Sequence, residues 1–84
     1  MSLTTEAEAL FVSPLQPSEQ PTPRQIGAAI DASLRVHHGA RGCAAACAAE
    51  YGDHPETAVA RMRWALSEVA ALSAAATQAF PVAA

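Results

Sequence analysis

Most of the apolar side chains in this sequence are too small to build a large hydrophobic core. Apolar residues occupy 51% of the 84 positions, and alanine is by far the commonest of them. Alanine favours helices but buries little surface. A chain of this length has a core that is only just sufficient for folding. We therefore expect one small all-α domain whose core is completed by its own N-terminal segment or by a second chain.

The charge balance argues against two classes of partner. The formal net charge is −3, and all basic side chains are arginine. Proteins that bind nucleic acids or membrane surfaces usually present an excess of basic side chains. The uncharged run 69–80 is too short to cross a bilayer, and residues 1–12 do not have the form of an export signal. We expect a cytoplasmic protein without a cofactor and without contact to a membrane.

Residues 1–21 are predicted to form an N-terminal arm. The sequence Thr5-Glu6-Ala7-Glu8 has the form of a capping box, which predicts a short helical turn through about Val12. The four prolines of 14–23 rule out a continuous helix and favour an extended segment. We predict a helical domain over 22–80 and a tail over 81–84.

Glycines and prolines divide the domain into three predicted helices, at about 22–38, 43–51 and 55–78. Each begins or ends at residues that favour helix termini. These are Thr22, Pro23 and Gln25 at the first start, Gly39 and Gly52 at the first two ends, and Asp53 and Pro55 at the third start. Apolar and small side chains in the third helix alternate in steps of three and four, which predicts a packing seam. The seam consists of Val59, Met62, Leu66, Val69, Ser73, Ala76 and Phe80.

The two cysteines have two interpretations. Cys43 and Cys47 lie one helical turn apart and, with His38 and His54, form a candidate zinc site. Their spacing differs from that of zinc fingers, whose cysteines flank a turn. Free cysteines are usually buried like small apolar residues, and a disulfide within one helix is geometrically awkward. We favour buried, reduced thiols and predict no metal site.

The segment 43–63 has features of a helix-turn-helix motif. Ala48 and Gly52 have the spacing of that motif's first helix and turn, and the next helix would present Arg61 and Arg63 to DNA. The standard register would bury Ala58 and Arg61, which is unfavourable for an arginine. A turn one residue longer would bury Val59 and Met62 instead. DNA binding through Arg61 and Arg63 is therefore the alternative hypothesis.

Trp64 lies outside the predicted seam, next to two arginines. It either packs against the arm or anchors a partner, because Trp beside Arg is a common composition of interface hot spots. The candidate interaction residues are Trp64, Arg61, Arg63, Leu72 and Phe80. No phosphate-binding loop, nucleophile elbow or HExxH sequence is present, so an enzyme is not predicted.

Three short motifs resemble a group of small actinobacterial proteins of unknown function. They are Gly42-Cys43-Ala44, Glu50-Tyr51-Gly52-Asp53-His54-Pro55-Glu56 and Ala60-Arg61-Met62-Arg63-Trp64-Ala65. The resemblance implies no activity. From the residues themselves we expect a non-enzymatic protein–protein interaction or assembly module that forms a homo-oligomer through its third helix.

Overall fold

The computed structural model describes residues 1–78, and the side chains of residues 1–76. Within this part of the chain there are four α-helices and one short 3-10 turn, and there is no strand, so the predicted all-α class is confirmed. The elements are α1 (Leu3–Phe11), the 3-10 turn (Pro17–Glu19), α2 (Pro23–Val36), α3 (Ala40–Asp53) and α4 (Pro55–Gln78). The prediction of three helices was wrong, because the N-terminal segment forms a full helix.

Helix α1 lies at the centre of the bundle. It contacts α2, α3 and α4, and its contact with α4 is the most extensive between any two helices. Four of its nine residues are buried, on several sides of the helix, namely Ala7, Ala9, Leu10 and Phe11. Burying large side chains such as those of Leu10 and Phe11 stabilises a fold by about 1.5–3 kcal/mol each. The N-terminal segment therefore supplies the core that the alanine-rich helices lack.

The start of α1 differs from the predicted capping box. Ser2 is the N-cap, and its side chain accepts a hydrogen bond from the Thr5 backbone N–H at 3.1 Å. The helix thus begins two residues before Thr5. Residues 12–22 form no α-helix, as the prolines predict, and contain only the 3-10 turn.

Helix α2 begins where the sequence predicts and ends earlier. The Thr22 hydroxyl accepts from the Gln25 N–H, and the Gln25 side chain accepts from the Thr22 N–H. The helix ends at Val36, and the next residues turn the chain sharply, with a φ of 62° at His38 and 99° at Gly39. The Gly39 N–H donates to the Leu34 carbonyl at 2.7 Å, which closes the end of the helix.

Helix α3 is longer than predicted at both ends. It begins at Ala40, directly after Gly39, and continues through Gly52 to Asp53. Gly52 therefore does not end the helix, and Asp53 does not cap α4. His54 alone separates α3 from α4, so the two helices form a tight hairpin.

Helix α4 is longer than α3, and its last described turns lie beside the start of α2, where Ala71, Leu72 and Ala75 line a small pocket with Pro23. Its 24 residues correspond to about 36 Å, whereas the 14 residues of α3 correspond to about 21 Å. The molecule is accordingly elongated, with principal dimensions of 51 × 26 × 18 Å. Every described side chain from Ala70 to Ala76 is exposed except Leu72, which is half-buried. We call residues 70–76 the overhang.

The glycines of α3 provide a test of the tight turn before this helix. A Cβ atom at Gly42 would overlap the His37 carbonyl, whereas a Cβ atom at Gly52 would meet nothing within 4 Å. We expect Gly42→Ala to lower the free energy of unfolding by about 2 kcal/mol or more, because the turn must shift. Gly52→Ala should raise it by roughly 0.5–1 kcal/mol, as alanine does within helices. Urea denaturation of both variants checks this, and equal effects would contradict the close approach at Gly42.

Candidate interaction surface

The predicted seam of α4 is divided between the inside and the outside of the bundle. The buried positions of α4 are Ala58, Ala65 and Val69. Two other residues of the predicted seam, Val59 and Leu66, are 42% and 45% exposed. Met62 is half-buried. The packing seam thus contributes Val69 to the core of this chain and leaves Val59 and Leu66 on its surface.

The rotation of α4 follows from its small side chains. Ala58 and Ala65 lie seven residues apart on the face towards the core, and both are buried. Alanines at these positions permit close approach to α1, the helix with which α4 shares most contacts. A helix that turns its alanines inward must turn neighbouring positions outward. Val59 and Leu66 therefore remain on the surface.

Beside Met62 and Leu66, an open groove of about 540 Å³ lies between α1, α3 and α4. Small residues of α1 and α3 form much of its lining, and the residues that line it are Thr4, Ala7, Glu8, Ala44, Cys47, Ala48, Tyr51, Met62 and Leu66. We call this the apolar groove. Glu8 is its single charged lining residue, and Val59 lies one turn of α4 from Met62. An apolar groove beside exposed aliphatic side chains is typical of a surface that binds another helix.

Tyr51 is held in the wall of the groove by an aromatic stack. Its ring lies 5.8 Å from that of buried Phe11, with 8° between the ring planes. Tyr51 itself is 37% exposed. A stacked aromatic pair contributes about 0.5–1.5 kcal/mol beyond its buried area. The wall at this end of α3 is therefore fixed by the central helix.

Arg61 fixes the position of α4 against the end of α1. Its Nε donates to the Phe11 carbonyl at 2.7 Å, and its Nη2 donates to the carbonyls of Ser13 and Leu15, both at 2.8 Å. A longer contact of 3.4 Å joins Nη2 to the Leu10 carbonyl. The last carbonyls of a helix have no partner within the helix and carry partial negative charge. One side chain of α4 thus satisfies the C-terminal end of α1 and the turn that follows it.

The guanidinium of Arg61 also lies against two aromatic rings. Its central carbon is 5.0 Å from the centre of the Trp64 ring and 5.9 Å from that of Phe11. Burial lowers the pKa of Arg61, and the nearby carboxylate of Glu50 opposes this effect. Arginine nevertheless remains protonated in proteins. The structure adopts the register that buries Ala58 and half-buries Arg61, although burial is generally unfavourable for an arginine. It can do so because backbone carbonyls accept hydrogen bonds from the guanidinium.

Those predicted interaction residues that the structure describes differ in exposure. Trp64 and Leu72 are half-buried and pack against the core cluster that contains Leu10 and Phe11. This position of Trp64 agrees with the first of its two interpretations. Arg63 is exposed. Phe80 lies outside the described residues.

Contact with DNA through Arg61 and Arg63 stays a prediction. In the structure the two arginines differ, because Arg61 donates to backbone carbonyls while Arg63 is exposed. Ala48, which a helix-turn-helix motif would bury, is also exposed. Binding of phosphate by Arg61 would require it to release the end of α1.

The candidate zinc ligands are not brought together. Among residues 1–78 no group of three or more His, Cys, Asp or Glu side chains is placed to hold a metal ion. Cys43 and Cys47 are buried and form no disulfide with each other, and the Cys43 thiol lies 3.6 Å from the Ser33 carbonyl. His38 and His54 are exposed, and both belong to turns.

No family model, curated protein or solved structure matches this chain. Within the part of the chain that the structure describes, no helix combines the length and apolar character needed to cross a bilayer.

The surface residues that the sequence did not identify are Tyr51, Val59 and Leu66. The seam pattern includes Val59 and Leu66 but does not distinguish residues that face the core from residues that face outward. The signal that distinguishes the two faces of α4 is the pair Ala58 and Ala65, seven residues apart, which together with Arg61 marks the side that approaches α1.

Replacing Arg61 tests its role in stability. We expect Arg61→Met to lower the free energy of unfolding by about 3 kcal/mol, because buried carbonyls at the end of α1 lose charged hydrogen-bond donors. Arg63→Met is the matched control and should change it by less than about 0.5 kcal/mol, as is usual for exposed positions. Urea denaturation followed by circular dichroism measures both. Equal stability of the two variants would show that Arg61 does not hold α1.

The reactivity of the thiols tests their burial. Burial, followed by the negative charge of Glu8, raises the pKa of both Cys43 and Cys47. Since the thiolate is the reactive form, both cysteines should remain protonated and react slowly at neutral pH. We expect labelling by a thiol reagent to be slow in the native protein and fast in urea. A native cysteine that reacts as fast as in urea would contradict the described packing.

Proposed function

We propose that this chain is a non-enzymatic helical interaction module that binds a second copy of itself through the apolar groove and the exposed residues Val59 and Leu66. The observation that carries the proposal is the 45% exposure of Leu66 at the edge of the groove. Val59 continues the same surface, with 42% of its side chain exposed.

Self-association is favoured because the surface offers both halves of a contact. Leu66 and Val59 project from α4, and three of the nine residues that line the groove beside them are alanines. A two-fold symmetric interface needs one patch that is complementary to itself. Projecting aliphatic side chains next to a groove that accepts side chains meet that requirement.

The surface also has the chemical character of an interface centre. Its lining includes one charged residue, Glu8, and combines tyrosine, methionine and leucine. Centres of interfaces are depleted of charge and enriched in aromatic residues and methionine. Association is also a common source of stability for small domains.

Sedimentation equilibrium or light scattering of the whole chain tests the proposal. We expect a mass of twice the 8.6 kDa of one chain at micromolar concentration. Leu66→Asp should weaken the dimer by at least about 30-fold, equivalent to about 2 kcal/mol, because a charge would enter the centre of the contact.

The matched control is Val36→Asp. Val36 is 69% exposed and lies at the end of α2, away from the groove residues. This variant should retain the wild-type mass. A monomeric wild type, or equal weakening by both aspartates, would overturn the proposal.

A further inference from the structure

The exposed row on α4 constrains how two copies can pair, and this inference rests on the proposed self-association. Val59, Leu66 and Ser73 are seven residues apart, and all three are exposed. Positions seven apart lie close to one line along a helix. Leu66 is the midpoint of this row. If two such helices run in opposite directions with Leu66 facing Leu66, Val59 of each lies opposite Ser73 of the other.

The overhang favours this arrangement. From Ala70 to Ala76 it carries no charged residue and is largely exposed. Helices in proteins gain most of their stability from the packing of their faces rather than from intrinsic propensity. In an antiparallel pair, the overhang of one copy passes over the start of α4 in the other, where Val59 and Tyr51 are exposed. In a parallel pair, the two overhangs would face only each other, with small side chains on both sides.

The charges of α4 favour the same direction. Its exposed charged residues are Glu56 and Arg63, and both lie in the N-terminal half of the helix. A parallel pair would place Glu56 beside Glu56 of the second copy and Arg63 beside Arg63 of the second copy. Such contacts between like charges oppose association. An antiparallel pair places the uncharged overhang of the partner along this half instead. Neither Glu56 nor Arg63 then lies beside the same residue of the second chain.

We infer that two copies of this chain pair with their α4 helices antiparallel, around a two-fold axis at Leu66, so that the overhang of each copy covers the Val59 end of the other. The small side chains of the overhang permit the close approach that this contact needs. Each copy thus covers part of the apolar surface that its partner exposes as a monomer.

Disulfide cross-linking of the whole chain tests the direction of pairing. The variants are Val59→Cys and Ser73→Cys, each of which keeps Leu66, and one of the two carries a short tag so that the products differ in mass. They are oxidised separately and as a mixture. Wild type, whose Cys43 and Cys47 are buried, gives the baseline.

In the antiparallel pair, the mixture should form the Val59→Cys to Ser73→Cys product. This product should form at least about tenfold faster than the product of either variant alone, because a disulfide requires Cβ atoms within about 4 Å. Two copies of residue 59 would be separated by about 21 Å along the helix axis, the rise of 14 residues. Mass spectrometry of the linked peptides identifies the joined cysteines, including any product formed with Cys47 in the groove.

The outcomes separate the two proposals. A dimeric mass with preferential self-linking of each variant would show parallel pairing, and would overturn this inference while leaving self-association intact. A dimeric mass without any link through residues 59 and 73 would likewise overturn it, placing the contact elsewhere. A monomeric mass would overturn both. Circular dichroism and the mass of each reduced variant establish that the substitutions have not disrupted the fold or the dimer.

Discussion

The hydrogen bonds between Arg61 and the end of α1 join the first and the last helix of the described fold. Arg61 donates to the carbonyls of Phe11, Ser13 and Leu15, across 46 to 50 residues of chain. Phe11 in turn packs against Tyr51 of α3. The positions of α1, of the turn after it and of one wall of the apolar groove therefore all depend on a single cation.

The same interaction explains why α4 has two different apolar faces. With Arg61 directed to the end of α1, Ala58, Ala65 and Val69 point inward. Leu66 and Val59 then lie on the opposite flank of the inward face. A larger residue than alanine at position 58 or 65 would force α4 away from α1. The Arg61 side chain would then lie too far from the carbonyls at the end of α1 to donate hydrogen bonds to them. Small side chains in the core and large ones on the surface are thus two consequences of one helix orientation.

The sequence predicted those features that depend on local chemistry. The all-α class, the Thr22–Gln25 cap and the breaks caused by prolines all follow from interactions between neighbouring residues. It failed where distant parts of the chain decide the outcome. Gly52 remains helical although glycine often ends helices, and α1 is too short to be stable until three other helices surround it.

The candidate surface was predictable only in part, for a similar reason. The alternation in α4 showed which residues were apolar, but a pattern of steps of three and four does not reveal which edge of the stripe faces the core. The partly buried Arg61 determines which edge faces the core. Its carbonyl partners lie at the end of α1 and in the turn that follows, and their positions cannot be inferred from the sequence of α4. Sequence reasoning treats such an arginine as unfavourable inside, because it does not include backbone acceptors as partners.

The central position of α1 has a consequence for synthesis on the ribosome. This helix is translated first, yet Arg61 and the rest of α4 are translated last among the described elements. Until then, Leu10 and Phe11 lack most of the surfaces that bury them, and the carbonyls at the end of the helix are bound to water. Completion of the native core therefore waits for the synthesis of α4, and until then the nascent chain exposes the most hydrophobic of its described helices, which makes that helix a natural segment for chaperones to bind.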